Sequence, residues 1–210
     1  MQLSMIMIGI SLLVLVFVYL VFFHPWQLRW GATDSEVKRA MPGDEIVGRP
    51  SFESTRAVTI HAPAQNIYSW ILQMGIKQAG SNSYDLLNNV GKESPESRVP
   101  EHQNIQAGDL IPISQNGKQD MWVKYLRKDR WVLWWDKKGD TSWVWEINPE
   151  EAGSARLITR VRVKYRLFSP ASLFSLLIEI FDVLMMRKSM LGIKRRAEIK
   201  TPQSLDIARV

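Results

Sequence analysis

Asp85, Glu101 and Arg160 are the residues of this 210-residue chain whose types suit acid–base catalysis, with the Tyr84 phenol beside the first. A carboxylate pair whose environments separate its pKa values can divide proton donation from proton abstraction, and an arginine can stabilise an enolate or carboxylate. This catalytic reading requires a fold that makes the three converge. The structural alternative has Asp85 capping a short helix or Glu101 pairing with Arg160. A second concentration of chemistry is aromatic: Trp122, Trp131, Trp134, Trp135, Trp143 and Trp145 lie within one stretch of the chain, from 122 to 145. Such rings either fill a small core or line a concave apolar cavity, where indole N–H and phenol O–H groups orient a polar end. Trp122, Trp143 and Tyr84 are the candidate ligand contacts.

Several chemistries are excluded outright. With Cys 0 there is no disulfide, thiolate nucleophile or cysteine-based metal centre, which leaves the redox compartment open. His24, His61 and His102 are widely separated and no HExxH occurs, so no metal site is expected. Neither a G-x-S-x-G nucleophile turn nor a P-loop is present, and no cofactor is predicted. Lys plus Arg exceeds Asp plus Glu by 27 − 21 = 6, too modest an excess to require a nucleic acid, and no recognition-helix motif accompanies it. At 46% hydrophobic residues, the chain is not of the disordered class.

The elements that must position these groups begin with Met5 to Phe23, MIMIGISLLVLVFVYLVFF, an uncharged stretch long enough to cross a bilayer as a helix. A cleavable signal peptide is the rival reading. It is disfavoured by the absence of a basic leader and by VFFHPW where small residues would mark cleavage. Residues 1–28 are therefore read as a single-pass transmembrane anchor, with His24, Pro25, Trp26 and Trp30 at its interfacial exit. Arg29, Lys38 and Arg39 all follow the span and place the remainder on the cytoplasmic side. Residues 29–54 read as a linker that can lie along the domain surface, 55–200 as the folded domain and 201–210 as a tail. Within the linker, Thr33 with Glu36 three residues on is a helix cap for a helix lasting to about Ala40.

Residues 55–61 are a strand candidate, and Ala62-Pro63 introduces a helix from Ala64 to Met74 whose Ile67, Trp70, Ile71 and Met74 form a buried face. A short helix is expected over Tyr84–Val90, then a polar loop from Gly91 to Gln106. Further strands are Leu110–Ile113, Met121–Leu126, Arg130–Trp135, Thr141–Ile147 and Ala155–Phe168, joined by polar turns at 116–118, 137–140 and 150–153. Short turns between successive strands argue for an antiparallel meander rather than a nucleotide-binding βαβ fold. Period 2 puts Trp131, Leu133 and Trp135 on one face with Trp134 opposed, and Trp143 with Trp145. In the last strand Leu157, Thr159, Val161, Val163 and Tyr165 oppose Arg156, Arg160, Arg162, Lys164 and Arg166, with Ile158 as the exception. This basic face reads as a solvated surface, or as a contact for anionic lipid or a protein partner. A long helix, Ser172–Lys200, closes the domain. Its Leu173, Leu176, Leu177, Ile180, Phe181, Leu184, Met185, Leu191 and Ile193 are expected to pack on the sheet, while its charges make a second span untenable.

Strand, helix, meander and long terminal helix, in that order, resemble the START-like helix-grip superfamily, also called SRPBCC or the polyketide cyclase and lipid-transport superfamily. The segments similar to its bacterial members are RWGATDSEVKRAMPGDEIV (29–47), TRAVTIHAPAQNIYSWILQMG (55–75), SYDLLNNVG (83–91), AGDLIPI (107–113), SWVWEINPEEAGSARLITRVR (142–162) and MLGIKRRAE (190–198). The resemblance implies an α+β fold, a curved antiparallel sheet around the C-terminal helix with an elongated apolar cavity between them. Members of the closer group often carry GWYSYD where this chain has GSNSYD at 80–85, which removes an aromatic ligand contact at 81 and 82. The expected function is binding of an apolar or amphipathic small molecule by a membrane-tethered domain. Alternatives are a cyclase or dehydratase acting in the same cavity, or a membrane-associated module that binds a protein through its basic face.

Overall fold

The computed structural model describes residues 2–77, 105–111, 121–164 and 172–199. The apolar N-terminal stretch forms α1 (Gln2–Val18), which continues through a π turn at Tyr19–Phe23 into α2 (His24–Leu28). Pro25 has no N–H to donate to the preceding turn, and the helix accommodates it by widening, with the His24 N–H donating to the Tyr19 carbonyl. Ser4–Leu28, 25 residues, is one apolar helix long enough to cross a membrane, a length and composition that a signal segment shares. Its residues are exposed up to Trp26 apart from the half-buried Tyr19 and His24, and Gln27 is fully buried in the domain that follows.

A short helix α3 (Asp34–Lys38) starts as its sequence predicts. The Glu36 N–H donates to Thr33 Oγ1 at 3.2 Å and the Thr33 N–H to Glu36 Oε2 at 2.7 Å, a reciprocal cap. Then come β1 (Phe52–Ile60) and α4 (Ala64–Lys77), followed by β2 (Leu110–Ile111), β3 (Met121–Arg127), β4 (Trp131–Trp135), β5 (Thr141–Pro149), β6 (Ala155–Val163) and α5 (Ser172–Glu198). The strands make one six-stranded sheet in the order β1-β6-β5-β4-β3-β2, antiparallel throughout. β2 to β6 form the expected meander, and β1 closes the far edge by pairing with β6 from Phe52↔Val163 to Ile60↔Ala155. The predicted helix at Tyr84–Val90 lies outside the described residues, as do the ends of two predicted strands, at 112–113 and 165–168.

Alternation along the strands gives the sheet two unlike faces. On the inner face Ile60, Val123, Val132, Trp134, Trp143, Trp145, Ile147 and Leu157 pack against Ile67, Trp70 and Ile71 of α4 and Met186, Met190, Ile193 and Ala197 of α5. The helix-grip arrangement is thus present: a long C-terminal helix lies against an antiparallel sheet. Burial along α5 is described from Asp182 on, so the expected Leu173, Leu176, Leu177, Ile180 and Phe181 lie outside that range; from there Ile193 is buried as expected, but Leu184 and Leu191 are not. Val183, Met186, Met190, Ile193 and Ala197 are buried, whereas Leu184 is 60% and Leu191 37% exposed.

The outer face carries a second, smaller core of Ala57, Leu133, Val144 and Ile158 beneath Met41, with Ala32 and Ile46 beside it. This explains Ile158, the one apolar residue on the arginine side of β6. The chain that covers it is the segment following α2, which lies along the sheet. Two glycines let its backbone come close. Gly31 has φ +72°, and a Cβ there would sit 2.1 Å from the Ala57 carbonyl oxygen; Gly43 has φ +91°, and its Cβ would lie 2.4 Å from a Leu133 methyl. At Gly31 the Ala57 N–H donates to the neighbouring Trp30 carbonyl at 3.1 Å, so backbone meets backbone with no side chain to move aside. Gly31→Ala is expected to cost about 3 kcal/mol or more, read as a lowered melting temperature of the full chain in detergent.

Candidate functional site

The inner face packs against α4 and α5, and its centre is tryptophan. Trp134 pairs across β4–β5 with Trp143, their rings 5.0 Å apart and nearly perpendicular at 85°. Trp145, two residues on, places its ring 5.5 Å from that of Trp143. Edge-to-face geometry of this kind holds the rings in fixed orientations. The Trp143 indole N–H donates to Thr159 Oγ1 at 2.9 Å, and the threonine hydroxyl donates in turn to the Val144 carbonyl at 3.0 Å. The indole N–H groups of Trp134 and Trp145 are buried with no acceptor among the described residues. The Trp70 indole N–H of α4 is in the same position, and three such donors in one apolar core are an unusual feature, because a buried polar group without a partner costs free energy.

Of the residues singled out from sequence, Trp143 belongs to this cluster. Trp122 does not: it pairs with Trp135, and Trp135 with Ser142, which puts it on the outer face, half-buried, with Lys137 Nζ 4.5 Å above its ring. Tyr84, Asp85 and Glu101 lie outside the described residues. Trp134 and Trp145 are visible in the sequence as part of the tryptophan concentration, but selecting them over Trp122 needs the cross-strand register, which strand periodicity alone does not supply.

Arg160 is on the outer face, turned away from the tryptophans, and is 3% exposed. Its guanidinium holds the covering segment. Nε donates to Thr55 Oγ1 at 2.8 Å, Nη1 to Asp44 Oδ2 at 2.7 Å and to the Arg39 carbonyl at 2.9 Å, and Nη2 to the carbonyls of Glu36 and Val37 at 3.0 and 2.8 Å. A guanidinium has five N–H donors, and these five bonds use them. Arg160 therefore has nothing left with which to stabilise a substrate anion.

Its neighbours are engaged too. Arg156 grips Glu36 with Nε to Oε1 at 2.7 Å and Nη2 to Oε2 at 3.0 Å, and Arg162 meets Asp44 and Glu53 at 3.1 and 3.2 Å. Of the basic face expected to meet solvent, lipid or a partner, Arg156, Arg160 and Arg162 instead form an internal interface with residues 31–47, while Lys164 is exposed and Arg166 lies outside the described residues. Burial opposes ionisation of Glu36, but the hydrogen bonds from Arg156 and Thr33 outweigh it and hold the carboxyl below the usual glutamate value. A depressed carboxylate contributes stability above its unfolded-state pKa and loses it as pH falls through the folded value, so this contact weakens in acid.

Where α2 meets the domain lies a third polar group of residues. Arg56, fully buried, donates from Nε to the Gln27 carbonyl at 2.8 Å and from Nη1 to Asp182 Oδ2 of α5 at 2.7 Å. Gln27 in turn donates from Nε2 to the Tyr19 hydroxyl at 3.0 Å. One guanidinium thus joins the end of the apolar helix, strand β1 and helix α5. Burial pushes the Asp182 carboxyl above its ordinary value, against the opposing pull of Arg56. No group of three or more metal-ligating side chains occurs among the described residues.

These features define an α+β helix-grip domain, with an aromatic inner face and a long apolar helix built into its edge. Neither a family model nor a curated protein matches the chain. Among solved structures, a polyketide-cyclase-like protein of Corynebacterium glutamicum is 14% identical, with 68% of this chain and 89% of that one covered and a TM-score of 0.43. A START superfamily protein from Mycobacterium smegmatis is similar at 14% identity, 70% and 97% coverage and a TM-score of 0.41. The Aha1 dimer from Colwellia psychrerythraea also has 14% identity and 70% and 97% coverage, with a TM-score of 0.45. Likeness at this level assigns no ligand and no reaction, which must come from the chain's own residues.

Proposed function

We propose that this protein binds an apolar or amphipathic small molecule between the sheet and α5, in a domain held at a membrane by an uncleaved N-terminal span. The observation that carries the ligand reading is the inner-face tryptophan cluster, whose Trp134 and Trp145 indoles have no acceptor among the described residues. An amphipathic ligand would lay its apolar body on these rings and bring an acceptor oxygen to the indoles. Binding of this kind needs no metal and no covalent intermediate. The tether reading is supported by Gln27: cleavage behind the apolar stretch would remove the carbonyl that Arg56 holds. Arg29, Lys38 and Arg39 beyond the span support a cytoplasmic domain.

The test is native mass spectrometry of the full-length protein purified in mild detergent, with extraction of whatever it retains. The expected result is one apolar molecule per chain, carrying an acceptor group. Trp134→Phe and Trp145→Phe keep most of the ring area and remove the donors, and each is expected to weaken retention about three- to tenfold. A folded protein that retains nothing under conditions that preserve weak complexes would overturn the proposal.

A further inference from the structure

We propose that the outward face of α5 lies on the headgroups of an anionic membrane, so that the domain rests on the bilayer as well as being tethered to it. This rests on the reading of the N-terminal helix as a span. The sequence of α5 makes the face. At about 100° per residue, Leu184, Arg187, Lys188, Leu191 and Arg195 fall within about 100° of one another, and Ile199 follows one residue past the helix end. Val183, Met186, Met190, Ile193 and Ala197 occupy the other side, against the sheet and α4.

Exposure follows the same division. Leu184 is 60%, Leu191 37% and Ile199 55% exposed, and Arg187, Lys188 and Arg195 are exposed beside them. Leu191, Lys194, Arg195, Glu198 and Ile199 line a shallow open groove along this side. Large aliphatic side chains interleaved with lysine and arginine are the composition of a helix lying in a membrane interface: the apolar groups enter the acyl boundary while the cations meet phosphate.

What covers such a face is decided by position and charge. α5 is fastened where the span ends. Asp182 pairs with Arg56, which holds the Gln27 carbonyl in the last turn of the apolar helix. One turn further along α5, the Arg187 guanidinium lies 5.3 Å from the ring of Trp30, two residues beyond Leu28 at the end of the span. The first basic residue of the outward face therefore touches the residue at which the chain leaves the bilayer. A rigid polar junction, unlike a flexible tether, keeps α5 beside the surface. Arg156, Arg160 and Arg162 of β6 are consumed by Glu36, Asp44 and backbone carbonyls, and Arg29 just past the span pairs with Asp34, whereas α5 presents Arg187, Lys188 and Arg195 together on one exposed face.

The natural chain contains no cysteine, so one introduced cysteine gives one labelled site. Leu191→Cys and, separately, Phe17→Cys would carry an environment-sensitive nitrobenzoxadiazole dye on the full-length protein. Each is reconstituted into phosphatidylcholine vesicles with and without phosphatidylglycerol, with nitroxide-labelled lipids as depth-specific quenchers. The expected result is headgroup-level quenching at Leu191 that grows with phosphatidylglycerol, and acyl-level quenching at Phe17 in both vesicles. Lys188→Gln and Arg195→Gln, which leave the Arg187–Trp30 contact intact, should each shift the balance between seated and lifted α5 about fivefold toward the lifted state. An unquenched Leu191 dye with a quenched Phe17 dye would overturn the seating of α5 and leave the span standing. A Leu191 dye shifted to the blue without lipid quenching would mean that protein, such as a second copy, covers the face, and would equally overturn the proposal. If Phe17 is unquenched as well, the span itself fails and this inference falls with it.

Discussion

Arg160→Ala is expected to destabilise the protein by about 3–5 kcal/mol, because it removes one of two arginine partners from the partly buried Asp44 carboxylate and the donors from three backbone carbonyls together. For a domain of this size that is a fall in melting temperature of roughly 6–20 °C. The damage should begin locally. Without the guanidinium, residues 36–44 lose its hydrogen bonds at Glu36, Val37, Arg39 and Asp44, leaving the Met41 contact and the Arg156–Glu36, Arg39–Glu146 and Arg162–Asp44 pairs to hold the segment. Amide hydrogen exchange across 33–47 should therefore accelerate more than exchange in β4 and β5. Arg160→Lys keeps the charge near Asp44 but cannot reproduce five donors in a planar fork, so it should fall between the two. Ligand retention separates this structural role from a catalytic or ligand-binding one. A variant with normal melting and normal exchange but altered retention would place Arg160 in the site and overturn its role as the anchor of the covering segment.

That outcome bears on how far the letters alone carry. The meander, its turns and the two faces of β6 follow from period 2, and α4 is recognisable by Ile67, Trp70 and Ile71 at helical spacing. The Thr33–Glu36 cap is legible because its chemistry is local. What covers the arginine face is not, because alternation separates two faces without saying which of them meets solvent. The covering segment reads as linker by every hydrophobic criterion: Pro42, Gly43 and Pro50 break any period, and most of its attachment is arginine to carboxylate and carbonyl. Only Ile158 hints at a second core. The burial expected of Leu184 and Leu191 on α5 fails for a different reason. Apolar residues occupy so much of its circumference that several stripes fit, and choosing among them requires the sheet it packs on. Trp122 and Trp143 are separated by register, which depends on turn geometry across three strands, including an irregularity between Val123 and Tyr125. The carboxylates Asp85 and Glu101 lie outside the described residues, so the acid–base reading has lost its cation without gaining a geometry.

The junction of span and domain should show the second large effect. Asp182→Ala leaves Arg56 fully buried with the Gln27 carbonyl as its remaining described partner, and its Nη2 already has none among the described residues. An uncompensated buried guanidinium of this kind costs about 3–5 kcal/mol, somewhat less in this case because Asp182 keeps 20% of its side-chain exposure. Arg56→Leu alone removes the charge but leaves Asp182 facing apolar neighbours. Burial has already raised its carboxyl, so it is expected to take up a proton and cost less than the reverse deletion. Arg56→Leu with Asp182→Leu should recover much of the loss, since two packed aliphatic side chains replace an ion pair whose desolvation offset most of its attraction. The cycle of single and double variants, measured by denaturation of the full chain in detergent, is expected to give a coupling of roughly 1–3 kcal/mol. A coupling near zero would mean that the pair stabilises nothing. Recovery of stability need not restore the junction. With no guanidinium on the Gln27 carbonyl, α2 loses this polar tie to β1 and α5, and the distance between labels on the span and on α5 should broaden in the double variant while its melting approaches that of the natural chain. Stability and the placement of α5 are then separable properties, which is the expected behaviour if the buried pair sets orientation rather than total stability.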